Sequence, residues 1–216
     1  MFTAIIPVKK NSSRFPGKNL KKFGNQNLLT RKINQLKDSG IADKIIVSSD
    51  SHEMLEIAKN NEIEAVLRPK HFANESRSAT DFFQYLLSLV PNGHFIYSCV
   101  TSPNFDSKLM SSAKKKYLEG LKNGNDSLIT VYKFQHFLMN KNGPLNFGYG
   151  AKHKNSEDLP KIDLFTNGLV IAPVENMKKW SYHFGPKAYR FEVDQKASID
   201  IDTELDYLAA LSWEQL

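Results

Sequence analysis

The feature that most constrains this chain is its rhythm. Short apolar runs alternate with segments whose apolar residues recur every three or four positions. Thr3–Val8, Lys44–Ser48, Glu64–Leu67, His94–Val100, Ser127–Tyr132, Leu164–Ala172 and Ala188–Val193 read as strands. Between them, Leu28, Leu29, Ile33 and Leu36 share one helix face, with Gly40 as the stop. Ser51 caps a helix carrying Met54, Leu55 and Ala58, with Glu53 in its first turn. Ala79–Val90 repeats Phe82, Phe83, Leu86, Leu87 and Val90 at helical spacing, which reads as core rather than a stacking platform. Asp106 or Ser107 opens a helix ending near Gly120, and Thr203–Leu211 is a last amphipathic helix. Alternation of this kind builds an α/β domain with a mostly parallel sheet. The 216 residues fit one such domain. Only residues from about 134 to 163, rich in Asn, Gly and Pro, break the rhythm. An irregular stretch that long is usually functional or interfacial.

The chain's charge narrows its partners. Its 29 Lys and Arg against 23 Asp and Glu leave +6, in small groups such as Lys9/Lys10, Lys21/Lys22 and Lys114–Lys116. A pI near 9.2 could mean nucleic acid, but cations spread this way are equally compatible with steering an anionic small substrate, and the lysine triplet reads as a solvated helix face. No run approaches a membrane span, and no secretory signal is visible. The single Cys99 cannot form an internal disulfide and fits a reducing, cytoplasmic setting; it reads as a small buried thiol. The six histidines lack zinc spacing, and there is no G-x-S-x-G elbow.

Two places carry chemistry. The first strand turns at once into a loop containing Lys9, Ser12, Arg14 and Lys18, with Pro16-Gly17 permitting a tight turn. A buried strand delivering a basic, hydroxyl-rich turn is how an α/β fold binds phosphates at its strand ends. The loop is neither a Walker A loop nor a G-x-G-x-x-G fingerprint. The bland alternative is a solvated basic loop. Near the other end, Asp200 and Asp202 are separated by Ile201 and preceded by Ile199. In an extended segment both carboxylates face one side and both isoleucines the core. Such a pair suits Mg²⁺, a hard cation that takes oxygen ligands and phosphates together. The rival reading makes Asp202 the cap of the helix after it, though that leaves Asp200 unexplained.

These segments resemble a known family. The stretch from Ile5 to Leu20 is similar to the signature loop P-A-R-x-x-S-x-R-x-P-x-K-N of the sugar-acid cytidylyltransferases, the CMP-N-acetylneuraminate and CMP-Kdo synthetases. Val47-Ser48-Ser49-Asp50 resembles their V-S-T-D, and Leu67-Arg68-Pro69 their L-R-P. Ser198 to Asp206 resembles their S-I-D-I-D-T-E-x-D. Thr101-Ser102-Pro103 matches the end of Q-P-T-S-P, and Asn167-Gly168 an N-G before a strand. The similarity runs from Ile5 to about Leu211. The chain departs from the pattern at Lys9, where the family has its first arginine, and at Cys99, in the glutamine position. It departs again at Phe165, where sialic-acid enzymes carry an arginine.

The resemblance implies a single-domain, three-layer, Rossmann-like fold of the nucleotide-diphospho-sugar transferase type. It implies transfer of CMP from CTP to an acidic sugar with release of pyrophosphate. Lys9, Ser12, Arg14, Lys18, Asn19, Arg68 and Ser78 would bind the nucleotide. Thr101, Ser102 and Asn167 would lie near the acceptor, with Lys161 and Lys152 the nearest cations to the arginine missing at Phe165, while Asp200 and Asp202 hold Mg²⁺ and act with Lys18 in catalysis. Rivals remain for two of these sites: a structural ion pair for Arg68, and helix capping for Ser76, Ser78 and Asp81. The family also dimerises through the region matching 134–163, so a homodimer is expected.

Overall fold

The computed structural model describes residues 1–73 and 78–214; Ser76 lies outside the described residues. In chain order the elements are β1 (Phe2–Pro7), β2 (Lys22–Phe23), β3 (Gln26–Asn27), α1 (Leu28–Ser39), β4 (Lys44–Ser49), α2 (His52–Asn60), β5 (Glu64–Leu67), α3 (Ala79–Ser88), β6 (His94–Tyr97), α4 (Ser107–Lys122), β7 (Ser127–Phe134), β8 (Met139–Asn140), β9 (Gly143–Pro144), β10 (Ile162–Pro173), α5 (Val174–Trp180), β11 (Ala188–Val193) and α6 (Glu204–Ser212). Among the described residues no helix is long and apolar enough to cross a membrane.

Seven strands form one sheet in the order β11-β7-β10-β6-β1-β4-β5. β1 runs parallel to β4 and β6, β4 to β5, and β7 to β11. β10 alone is antiparallel to its neighbours β6 and β7. β7 and β10 are joined by the irregular stretch, with no crossover helix to turn the chain around, so the strand returns antiparallel.

Alternating side chains then sort into two cores. Ala4, Ile6, Val8 and Ile96 join α1, α2, α4 and α6 through Leu28, Ile33, Met54, Met110 and Tyr207. Ile5, Ile46, Phe95 and Ala172 face the other way, onto Phe83, Leu86 and Leu87 of α3 and Met177 of α5. This is the three-layer arrangement that the resemblance implies. Ile5 and Ile6 are fully buried, and burying each such side chain is worth about 1.5–3 kcal/mol.

The helix ends follow local chemistry. Asn27 caps α1 by accepting from the Thr30 amide at 2.8 Å, and Gly40 ends it in the left-handed region, at φ 60°. Ser51 and Ser78 cap α2 and α3, and Asp106 caps α4. Helix α5 was not expected from the sequence: it has seven residues, too few for a periodic pattern, and starts directly after Pro173.

One core position is a cation. Lys32 of α1 is fully buried and donates to the carbonyls of Ser102 at 2.9 Å and Phe105 at 3.4 Å. Desolvation lowers its pKa from 10.5 to about 7; Arg31 lowers it further, while Cys99 and Asp106 oppose. Between about pH 7 and 10.5 the unfolded chain therefore holds a proton that the folded chain lacks, and this group's contribution makes stability rise with pH. Lys32→Met should remove that rise. The difference in unfolding free energy, wild type minus variant, should grow by up to about 1.4 kcal/mol per pH unit from pH 7.5 to 9.5 in urea titrations. A constant difference refutes the shift.

Candidate active site

β1 marks the point where the chain changes direction across the sheet. β4 and β5 follow it on one side, and β6 returns on the other. Loops leaving the carboxyl ends of β1 and β6 diverge there, which opens a crevice in this type of sheet. The crevice has a volume of about 360 Å³ and is lined by residues that include Pro7, Lys9, Lys18, Asn19, Arg68, Ser78, Tyr97, Cys99 and Thr101.

The loop after β1 is held at several points. Phe15 is buried against Tyr207, and Lys21 lies over both rings. Gly17 turns the chain at φ 71°, a conformation that L side chains rarely adopt. Asn19 donates to the Lys9 carbonyl at 2.8 Å, tying the two ends of the loop together, and Ser12 is buried. The Lys10 amide donates to Asp50 at 2.8 Å, which gives the Val47–Asp50 motif a role in anchoring this loop.

The cations of the loop meet the carboxylates. Lys18 Nζ donates to the Ile201 carbonyl at 2.6 Å and to Asp202 Oδ1 at 3.0 Å, while Arg14 Nη2 reaches the same oxygen at 2.7 Å. Their surroundings differ: the Arg14 side chain is 66% exposed and that of Lys18 only 10%. Asp202 is not the helix cap. Thr203 caps α6 through a reciprocal capping box with Asp206, leaving the Asp202 carboxylate for the site.

Asp200 sits deeper. Asn167 donates to its Oδ2 at 3.3 Å, and its buried Oδ1 has no hydrogen-bond partner. Burial first, and then the nearby Asp202, push its pKa up. A buried carboxylate oxygen lacking a donor beside a second carboxylate fits a hard cation. Among the described residues no group of three or more His, Cys, Asp or Glu could hold a metal alone. Two carboxylates suit Mg²⁺, which takes its remaining ligands from water and phosphate.

Asn167 reaches Asp200 because β10 bulges between Phe165 and Val170, with Asn167 in the left-handed region at φ 51°. Gly168 beside it keeps this turn uncrowded: a Cβ there would press on Thr130 Oγ1 at 3.2 Å and the Phe105 ring at 3.3 Å.

Arg68 is 4% exposed. It donates to the carbonyls of Val8 and Ser48, bridging the ends of β1 and β4 while lining the crevice. Ser78 caps α3 at the crevice edge, accepting from the Asp81 amide at 3.1 Å. Phe82, expected in the core, is half-buried against the core on the α3 side and also lines the crevice, with the Arg68 guanidinium 5.2 Å from its ring. Tyr97 is a lining residue that the sequence reading missed. Beside it in the crevice wall, burial pushes the pKa of the Cys99 thiol up to about 12. Cys99 therefore stays a thiol, which removes it as a nucleophile.

Of the four expected acceptor residues only Thr101 lines the crevice: Asn167 instead bonds Asp200, and the other two are held elsewhere. Ser102 is fully buried, and its carbonyl is taken by Lys32. Lys161 is exposed at the start of β10, six residues before Asn167 and so roughly 20 Å along the strand.

The cytidylyltransferase family model matches residues 3–216. A pseudaminic acid cytidylyltransferase of Campylobacter jejuni subsp. jejuni serotype O:23/36 is 26% identical over 215 residues, covering 94% of this chain and 91% of that protein. An N-acylneuraminate cytidylyltransferase of Escherichia coli O18:K1:H7 is 24% identical, covering 98% of this chain and 52% of that one. Among solved structures, a CMP:2-keto-3-deoxy-manno-octonic acid synthetase complexed with CTP superposes with a TM-score of 0.68 at 15% identity, covering 100% of this chain and 99% of the other. A 4-diphosphocytidyl-2C-methyl-D-erythritol synthase from Anaerococcus prevotii gives a TM-score of 0.66, also at 15% identity and with the same coverage. The fold is thus that of these nucleotidyltransferases, and with the family model matched from β1 through α6, the chain belongs to the cytidylyltransferase family.

Proposed function

We propose that the protein transfers CMP from CTP to an acidic sugar of the nonulosonate type and releases pyrophosphate. The observation carrying this reading is the meeting of Arg14 and Lys18 on one oxygen of Asp202, two residues from Asp200, beside the crevice. An acceptor hydroxyl attacks the α-phosphorus. One P–O bond forms as the bond to the β-phosphate oxygen breaks, and the hydroxyl proton leaves to solvent or a base. Lys9, Arg14 and Lys18 face the departing pyrophosphate with positive charge. Asp200 and Asp202 are the residues that would hold Mg²⁺, whose chemistry is to neutralise charge on the reacting phosphates. Arg68, Asn19, Ser12 and Ser78 frame the nucleotide, while Asn167 orients Asp200 at the acceptor side and Thr101 lines the crevice there.

The names of the relatives, which include pseudaminic acid and N-acylneuraminate enzymes, support a nonulosonate acceptor. Kdo, a modified nonulosonate or a phosphonate would use the same chemistry. The test is pyrophosphate release across the four nucleoside triphosphates and a panel of acidic sugars with Mg²⁺. Release with CTP and one nonulosonate is expected. CTP binding without release from any acceptor would leave a non-catalytic homologue.

We also propose a homodimer. Residues 134–161 fold on themselves: Asn146 donates to the His136 carbonyl and accepts from the Leu138 amide, and Phe137 packs on Phe147 and His153. They leave Met139, Leu145 and Tyr149 exposed at 61%, 59% and 71%. Such a patch is better explained by a second copy than by solvent. A dimer mass by light scattering at micromolar concentration is expected, and Tyr149→Asp with Met139→Asp should shift it to the monomer. A wild-type monomer overturns the proposal.

A further inference from the structure

Helix α1 contacts the crevice only indirectly, yet three consecutive-turn residues on it are spent on one loop. Lys32 Nζ donates to the carbonyls of Ser102 at 2.9 Å and Phe105 at 3.4 Å. Gln35 Nε2 donates to the Pro103 carbonyl at 2.7 Å, and Arg31 Nε to the same oxygen at 3.0 Å. Arg31 also grips Glu214 beyond α6, with both guanidinium nitrogens within 2.8 Å. Asn104, in the middle of the loop, donates to the Ala210 carbonyl of α6 at 3.1 Å.

The loop passes its position on. The Thr101 carbonyl accepts from the Ile201 amide at 2.8 Å. Ile201 is the residue between the two carboxylates, and its carbonyl takes Lys18. Hydrogen bonds from α1 to the 102–105 carbonyls and from Ile201 to the Thr101 carbonyl thus link α1, through the covalent chain of this loop, to the residue between the two carboxylates.

We propose that Lys32, with Gln35 and Arg31, is a positioning residue for the Asp200–Asp202 segment, acting through the 101–105 loop. This rests on the reading of that segment as the cation-binding part of the active site. A lysine is expensive at a fully buried position. If the position only filled space, an apolar residue would do so without desolvating a charge. What Lys32 adds is donation to two carbonyls of one turn, which fixes that turn's orientation. The lowering of its pKa by burial is the sign that this cost is borne. Groups that support a ligand from behind matter: altering them typically weakens metal affinity about 10–100-fold.

The test uses Lys32→Met, which keeps the length of the stem, and Gln35→Leu, a milder change that serves if the first does not fold. Two quantities are read: amide hydrogen exchange at Ile201, and the Mg²⁺ concentration giving half-maximal pyrophosphate release at saturating CTP. Ile201 exchange should quicken about tenfold or more while amides of β4 and β5 keep their protection, and the Mg²⁺ requirement should rise about tenfold with KM for CTP changed less than twofold. Unchanged Ile201 exchange in a folded variant overturns the proposal, as does an unchanged Mg²⁺ requirement in an active one. Should the wild type release no pyrophosphate with any acceptor, the functional reading fails. Ile201 exchange and Mn²⁺ binding followed by electron paramagnetic resonance then decide the positioning role by themselves.

Discussion

Asp202→Asn should abolish turnover, by on the order of a hundredfold or more in kcat/KM, in a protein that still folds. The fold survives because Asp202 supplies no cap. Thr203 and Asp206 close the start of α6, and Asp206 Oδ2 accepts from the Asp202 backbone amide at 3.1 Å whatever its side chain. The site does not survive. One carboxylate oxygen now receives both Arg14 and Lys18, and a carboxamide offers them an oxygen without the charge. The substitution therefore removes a proposed Mg²⁺ ligand and slackens two cations in one change. Asp200→Asn should be comparably severe, because a second carboxylate is lost from the same place. The two losses should not add, since both act on one assembly. Pyrophosphate release against Mg²⁺ concentration measures the effect, with circular dichroism as the folding control. Wild-type activity in folded Asp202→Asn would make the pair structural.

What was legible in the sequence was local. The strand runs around Ile5-Ile6 and Val47, the stop at Gly40 and the cap at Ser51 depend on neighbours within a few positions, and each element formed where expected. Boundaries moved by a few residues: the helix expected to run to Val90 ends at Ser88, and α4 continues to Lys122. Direction was not legible. Nothing in Leu164–Ala172 says that β10 runs antiparallel, because that follows from how a distant connection returns.

The site divides in the same way. Lys18 and Asp202 are 184 residues apart, so only the pair of motifs, read through the family resemblance, anticipated their meeting. Lys161 was chosen as the nearest cation in sequence, but distance along a strand cannot be closed by a long side chain. Phe82 shared the helical spacing of core residues yet lies at the end of α3 that faces the crevice. Lys32 was overlooked although a signal existed. It lies four residues after Leu28 and four before Leu36, within the apolar stripe of α1, where a lysine must either be buried or break the stripe.

Lys18→Met should weaken CTP binding about ten- to a hundredfold, the equivalent of roughly 1.5–3 kcal/mol for a charge-assisted contact. The argument is one of environment. Lys18 holds its ammonium almost out of solvent, between the Ile201 carbonyl and Asp202, at the crevice wall. Water there screens little, so the charge acts on a bound triphosphate nearly undiminished. Methionine keeps the buried stem, which separates loss of charge from loss of packing; alanine would add a cavity. Arg14→Ala provides the internal comparison. Its guanidinium touches the same carboxylate at 2.7 Å but stands mostly in solvent, where pairs contribute about 0–1 kcal/mol. The Arg14 variant should therefore lose less affinity than the Lys18 variant despite the shorter contact. Titration calorimetry with CTP reads both. An unchanged dissociation constant in folded Lys18→Met would sink the assignment of the loop to the phosphates. A larger loss from Arg14 would mean that the loop closes on the nucleotide and buries that side chain too.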